Sequence, residues 1–263
     1  LLVSRAFNGG KEVIWSSERD GWNHFYLYDA ETATLKNRLT RGEWAIRSIG
    51  RVDEKARILY FTASGREPGR DPYLRHLYRV NLDGTGLTLL TPEDADHDVS
   101  FSSDGAYFVD TYSRADLPTV SVVRRAADGT VTQELERADV SRLQAIGWKA
   151  PEPFKAKAAD GRTDLYGLIW RPTDFDPKKK YPVIDNIYTG PHGAFGENLF
   201  VEHRPGEREN VGPTGVDAGD QVDPVAVVER HVHHGQIGVM GFHAGQRVGD
   251  VACPAAYLEV RLA

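Results

Sequence analysis

Cysteine is nearly absent from this sequence. A single thiol, Cys253, excludes a disulfide framework and a cysteine-rich zinc module, and a lone thiol with no identifiable base beside it reads as inert. An excess of positive charge is also missing. The 32 Lys and Arg against 38 Asp and Glu leave a formal charge of −6, so the basic field of a nucleic-acid-binding protein is not there. No run of 18 apolar residues occurs, which excludes a membrane-spanning helix. Neither Gly-x-Gly-x-x-Gly nor Gly-x-x-x-x-Gly-Lys is present, so no nucleotide, phosphate or heme cofactor is expected. Serine stops at Ser141, and two adjacent glutamates occur nowhere. The opening Leu1-Leu2-Val3-Ser4 shows neither methionine nor a signal-peptide pattern. The sequence is therefore read as a piece of a longer protein whose compartment its start does not reveal.

What remains is a globular composition. The chain has 263 residues, 40% hydrophobic and 27% charged, enough for one large domain or two ordinary ones. It also repeats. Leu39-Thr40-Arg41-Gly42-Glu43-Trp44 returns in outline as Leu90-Thr91-Pro92-Glu93-Asp94, 51 residues on. Between these marks, short β-type runs are predicted over 45–49, 57–62, 74–80 and 87–90. A second set covers 98–101, 106–112, 119–124 and 130–135, and an earlier, incomplete unit covers 12–16, 25–28 and 34–39. Four strands in about 45 residues is the size of a propeller blade; a β-sandwich of similar strand spacing is the alternative. Asp-Gly at 20–21, 83–84, 104–105, 128–129 and 160–161 supplies turns that tolerate the positive φ angles of two-residue hairpins.

The texture changes at Pro151-Glu152-Pro153, read as a linker because each proline biases its predecessor toward extended geometry. Strands are predicted over 154–158 and 165–171. The basic run Lys178-Lys179-Lys180 reads as a solvated turn before an apolar strand at 181–188.

These residues resemble a known family. Trp15-Ser16-Ser17-Glu18-Arg19-Asp20-Gly21-Trp22-Asn23-His24-Phe25-Tyr26-Leu27-Tyr28-Asp29 is similar to a blade of the dipeptidyl peptidase IV group of the prolyl oligopeptidase family. Leu39 to Trp44 resembles the start of the group's next blade. Lys180-Tyr181-Pro182-Val183-Ile184, then Ile187-Tyr188-Thr189-Gly190-Pro191-His192-Gly193, resembles the first core strand of the family's α/β-hydrolase domain and the loop after it. The resemblance runs from residue 1 to about 195. It implies a mainly β chain: a partial β-propeller of about three four-stranded blades (1–150), the start of an α/β-hydrolase domain (151–196) and an atypical tail (197–263). It also implies a serine exopeptidase that releases N-terminal dipeptides with proline or a small residue second, acting on peptides. Tyr188 matches the tyrosine that donates to the oxyanion of the tetrahedral intermediate, a contribution of about 3–4 kcal/mol in favourable cases. Full-length relatives often dimerise, and bacterial ones are often exported; no signal for either is present. The paired glutamates that grip the substrate's amino terminus are missing. The adjacent acids Asp53-Glu54 and Glu93-Asp94 read as solvated turn residues, and His192 comes too early to be the family's general base.

Beyond Phe195 the family pattern is lost. Residues 201–263 hold two aromatics, Phe242 and Tyr257, with twelve valines, two leucines, no lysine and no serine. Gly196-Glu197-Asn198-Leu199-Phe200 can be encoded so that reading one base later gives Ala-Lys-Thr-Phe, similar to the family's continuation. A frameshift near codon 196 is the expectation for the tail. The catalytic expectation does not depend on it. A peptidase of this fold needs its serine on a Gly-x-Ser-x-Gly elbow, and the nearest imitation, Gly241-Phe242-His243-Ala244-Gly245, has histidine there. A Ser-Asp-His triad is absent, and no activity is expected of the chain itself. Two other classes stay open: a non-catalytic propeller that binds a partner, and metal binding by His231, His233, His234 and His243 with Glu229. No recognised ligand spacing supports the metal, and none is expected.

Overall fold

The computed structural model describes residues 3–187 and one further strand, Ala226–His231. Three consecutive antiparallel meanders of four strands account for the first half. The first is β1 (Ser4–Phe7), β2 (Glu12–Ser17), β3 (His24–Asp29) and β4 (Leu35–Arg38). The second is β5 (Ala45–Asp53), β6 (Ile58–Ser64), β7 (Arg75–Asn81) and β8 (Thr88–Leu89). The third is β9 (Asp96–Phe101), β10 (Tyr107–Arg114), β11 (Leu117–Arg125) and β12 (Val131–Arg137). A five-residue helix, α1 (Ser141–Ala145), leads to a fourth sheet of β13 (Glu152–Lys157), β14 (Asp164–Trp170), β15 (Val183–Ile187) and β16 (Ala226–His231), in the order β13-β14-β16-β15.

The meanders pack face to face, as blades do. Phe7, Ile14, Phe25 and Leu27 of the first meet Leu59, Phe61, Tyr78 and Val80 of the second in one core, with Trp44 between them. Tyr60, Leu77 and Leu90 of the second meet Phe108 and Ala126 of the third in another. β6 and β7 of the second blade thus serve two cores, because successive side chains point to opposite faces. Truncating a side chain as enclosed as Phe61, which is fully buried, costs about 3–5 kcal/mol.

The repeated Leu-Thr is a clasp. Leu39 N–H donates to the Phe25 carbonyl at 2.9 Å, and Phe25 N–H donates to Thr40 Oγ1 at 3.0 Å. Leu90 N–H donates to the Leu77 carbonyl at 2.8 Å, and Leu77 N–H donates to Thr91 Oγ1 at 2.8 Å. In both blades this closes the end of the outermost strand onto its neighbour. The residues after Thr40 then set the next blade. His24 Nε2 donates to the Gly42 carbonyl at 2.8 Å, and the Trp44 ring stands edge-on to His24 and stacks on Phe61 and Tyr78. A Cβ on Gly42, whose φ is +129°, would lie 2.4 Å from Trp44 Nε1. The motif is a blade-to-blade hinge in which only glycine lets the indole approach.

Four expectations need correction. The first unit is complete, because Ser4–Phe7 pairs with β2; only Phe7 of that strand is buried, which leaves no alternation to read. The Asp-Gly turns are not two-residue hairpins. They lie in loops of five or six residues, where only glycines take positive φ. In four of them the aspartate accepts a backbone N–H two residues on, from Thr85, Ala106, Thr130 and Arg162, an Asx turn. Pro153 is not in a linker but in β13, opposite Leu168. β13 is an edge strand, where the missing N–H of proline costs no ladder bond. Glu93 is not a solvated turn residue, for the reason given next.

Candidate functional site

The residues singled out from sequence fall largely beyond what is described. Tyr188, His192, His233, His234, His243 and Cys253 lie outside the described residues, while Glu229 and His231 fall on β16. Lys178, Lys179 and Lys180 form the exposed turn expected of them.

The densest polar cluster among the described residues belongs to the third blade. His97 of β9, Asp110 of β10 and Arg124 of β11 lie on three adjacent strands, and their side chains are 0%, 0% and 2% exposed. Asp110 accepts from His97 Nδ1 at 2.9 Å and from Arg124 Nε at 2.8 Å. Arg124 reaches on, donating from Nη2 to Glu93 at 2.6 Å and from Nη1 to the Gly129 carbonyl at 3.1 Å. Burial pushes the Glu93 carboxyl up, but the hydrogen bond and charge of Arg124 outweigh it and hold it below its ordinary range. Glu93 therefore ties the connector between blades two and three to the inside of blade three.

Glu93, His97 and Asp110 bring one ligand atom each within 4.8 Å of one another. The Arg124 guanidinium already sits against both carboxylates, so a divalent cation there would face a fixed positive charge. A His-Asp pair is also the base and orienter of a serine peptidase. Here the second ring nitrogen, Nε2, lies 3.1 Å from the Glu93 carbonyl, which closes the position a base would use. The cluster is a lock on three strands. Its sequence signal was the run of polar residues inside strand patterns, Asp96-His97-Asp98 and Asp110.

A cleft of about 360 Å³ opens where the blades meet the fourth sheet. Asp71, Leu74, Asp94 and Arg114 line it from the second and third blades, and Phe154 and Tyr166 from the β13–β14 hairpin. Its charges are largely satisfied. Arg114 Nη1 donates to Asp94 at 2.8 Å and its Nε to Asp116 at 2.5 Å. Lys155 pairs with Asp164 at 2.7 Å, over the Tyr166 ring at 5.4 Å. Tyr73 meets Tyr166 edge-on at 6.4 Å, so the hairpin is seated on the second blade. The cleft is open to solvent, with Leu74, Phe154 and Leu168 set among paired charges.

Four-stranded meanders stacked face to face, followed by a mixed sheet, place the chain among proteins that carry propeller blades. Residues 2–119 match the family model of the dipeptidyl peptidase IV N-terminal region. Dipeptidyl peptidase 4 of Trichophyton equinum is 30% identical over 188 residues, 70% of this chain and 24% of that protein. Dipeptidyl peptidase 4 of Arthroderma otae is 29% identical over the same length. The crystal structure of Porphyromonas gingivalis dipeptidyl peptidase 4 superposes with a TM-score of 0.66 at 25% identity, covering 87% of this chain and 30% of that one. The chain spans about a quarter of the length of the curated relatives it matches. It is a dipeptidyl peptidase IV-like polypeptide.

Proposed function

We propose that residues 1–150 supply propeller blades, and residues 151–196 the opening strands of the α/β-hydrolase domain, of a serine exopeptidase that releases N-terminal dipeptides with proline or a small residue second. The observation that carries this is the break in architecture after the third blade. β13 and β14 form an antiparallel hairpin that joins none of the three meanders, and β15 follows it in sequence. Tyr188 follows Ile187, the last residue of β15, and the carboxyl ends of such strands are where α/β proteins place their chemistry. In this reading Tyr188 donates to the oxyanion.

The 263-residue chain itself does not hydrolyse peptides. Its last serine, Ser141, begins α1, exposed and donating to Asp139 at 3.1 Å. No later residue can be the nucleophile of a Ser-Asp-His triad. Residues 197–263 are the product of a shifted reading frame. Resequencing the coding DNA from codon 190 and translating all three frames tests this. Another frame that runs to a Gly-x-Ser-x-Gly elbow and then to Asp and His is the expected result. Stops and unrelated text in both other frames would reject it and leave a non-catalytic propeller with a genuine tail.

A further inference from the structure

Arg47 is the extra residue of a β-bulge. Along β5, Ala45 and Ile46 pair with Ser64 and Ala63, and pairing resumes with Ser48 opposite Thr62. Arg47 has no partner across the ladder, and a bulge takes a side chain out of the alternation and re-aims it. Its Nε donates to Ser64 Oγ at 3.1 Å, beneath a surface that leaves Arg47 half-buried. Ser64 is the cross-strand partner of Arg75, and the charges of Arg75, Tyr73 and Asp96 act on Arg47.

The carboxylate in this group is already committed. Asp96 Oδ1 accepts from Arg75 N–H at 2.8 Å and from Arg75 Nε at 3.0 Å, and its Oδ2 accepts from Arg75 Nη2 at 2.5 Å. Asp96 is bonded to Arg75 alone, and no carboxylate among the described residues pairs with Arg47. Burial first, and then the Arg75 charge, push the Arg47 pKa below the ordinary arginine value. Half-buried and with no carboxylate of its own, Arg47 is a partly desolvated cation that a bound anion would stabilise.

We infer that Arg47 anchors a binding site for a single carboxylate on a small peptide-like ligand. The charge count selects the class. One positive charge is uncompensated, which suits a monoanion; a phosphate monoester carries about −1.5 to −2 at pH 7. The planar guanidinium fork fits two carboxylate oxygens at once. The surroundings select the body of the ligand. Tyr73 acts electrostatically on Arg47 and meets Tyr166 of the fourth sheet, and its neighbours Asp71 and Leu74 line the 360 Å³ cleft. A ligand tethered at Arg47 extends over Tyr73 toward Leu74, Phe154 and Leu168, which take an apolar side chain. The site stands whether or not the longer protein is a peptidase.

The test follows arginine Nε–H signals of the 263-residue chain by ¹⁵N NMR during titration at constant ionic strength. The probes are N-acetylalanine and its uncharged amide. The Arg47 signal, assigned by its loss in Arg47→Gln, is expected to shift saturably with the acid and not with the amide. Read from the neighbouring Arg75 signal, binding should weaken about tenfold or more in Arg47→Gln and stay unchanged in Arg142→Gln. Arg47→Lys, which keeps the charge but loses the fork, covers a failure of the glutamine variant to fold and should bind measurably more weakly than the native chain. N-acetylaspartic acid α-amide distinguishes an acidic side chain from a chain terminus as the source of the carboxylate. No saturable shift with the acid, equal binding of the amide, undiminished binding in the Arg47 variants, or tighter binding of inorganic phosphate would each overturn the inference.

Discussion

Thr91 is fully buried, and its hydroxyl is the acceptor for Leu77 N–H. Thr91→Val keeps the shape and strands that N–H, so a loss of about 1–3 kcal/mol is expected in urea unfolding; no loss would mean that the clasp is incidental. Glu12 is the second residue on which the stack depends. Arg57 donates to it at 2.5 and 3.0 Å and Lys36 at 2.6 Å. The Arg57 hydrogen bond is the largest effect. Burial opposes it, Lys36 and Asn8 add to it, and the Glu12 pKa falls from 4.5 to about 2. Because the folded value is the lower one, this contribution is fully present above pH 4.5 and is lost as pH falls from there toward 2. Arg57 and Lys36 are 44% and 41% exposed, so the contribution is discounted for solvent screening to about 1–2 kcal/mol. Urea midpoints of the native chain and Glu12→Gln should converge between pH 5 and pH 2.5; a gap that stays constant would reject the assignment. The Leu-Thr repeat was legible in the sequence, but its purpose was not. Thr40 meets His24 and Phe25 across 16 and 15 residues, a separation that no local pattern encodes. Glu93 was misread for the same reason, since its partner Arg124 lies 31 residues on.

At the scale of strands and turns, the Asp-Gly loops differ in what their glycines must do. Gly129 has φ +75°, and a Cβ there would meet the Leu90 carbonyl oxygen at 2.3 Å and its Cα at 2.9 Å. Gly161 has φ +67° and nothing within 4 Å of a Cβ. Gly161→Ala should therefore cost only the left-handed penalty of about 1 kcal/mol. Gly129→Ala adds a clash with the backbone of the neighbouring blade and should cost about 2–4 kcal/mol. Equal thermal stabilities of the two variants would show that the third blade does not press on the second as described. The alternating strands β10 and β11 and the continuously buried β6 were legible to within two residues. β1 was not, since a Ser-Arg-Ala-Phe strand buries one side chain. Proline signalled a break at residue 153 because sequence alone does not say which strand is an edge.

Across the whole molecule, the blades are equivalent, and equivalence predicts what their outer faces do. The pair Phe61–Tyr78 stands to His76 as the pair Trp15–Tyr26 stands to His24. Phe61 is fully buried by the first blade, whereas Trp15 is 42% exposed. On the far side, Tyr107 and Val109 of the third blade are uncovered at 45% and 37%. In a preparation of these 263 residues alone, the two faces should meet between copies, head to tail. Trp15→Lys combined with Tyr107→Lys should lower the weight-average mass in sedimentation equilibrium toward that of the monomer. A native chain that is monomeric at every concentration would contradict this. The propeller class and the dipeptidyl peptidase IV likeness were legible from repeats and motifs. The cleft was not, because its walls come from three separate sheets, and neither was the Arg47 bulge, because register is a property of two strands.

The most direct test of the account is hydrolysis itself. The purified 263-residue chain, incubated with a Gly-Pro chromogenic amide, is predicted to release no product above background, since no serine follows residue 141 to act as the nucleophile. Release that exceeds background and is abolished by a covalent serine-hydrolase inhibitor would contradict it.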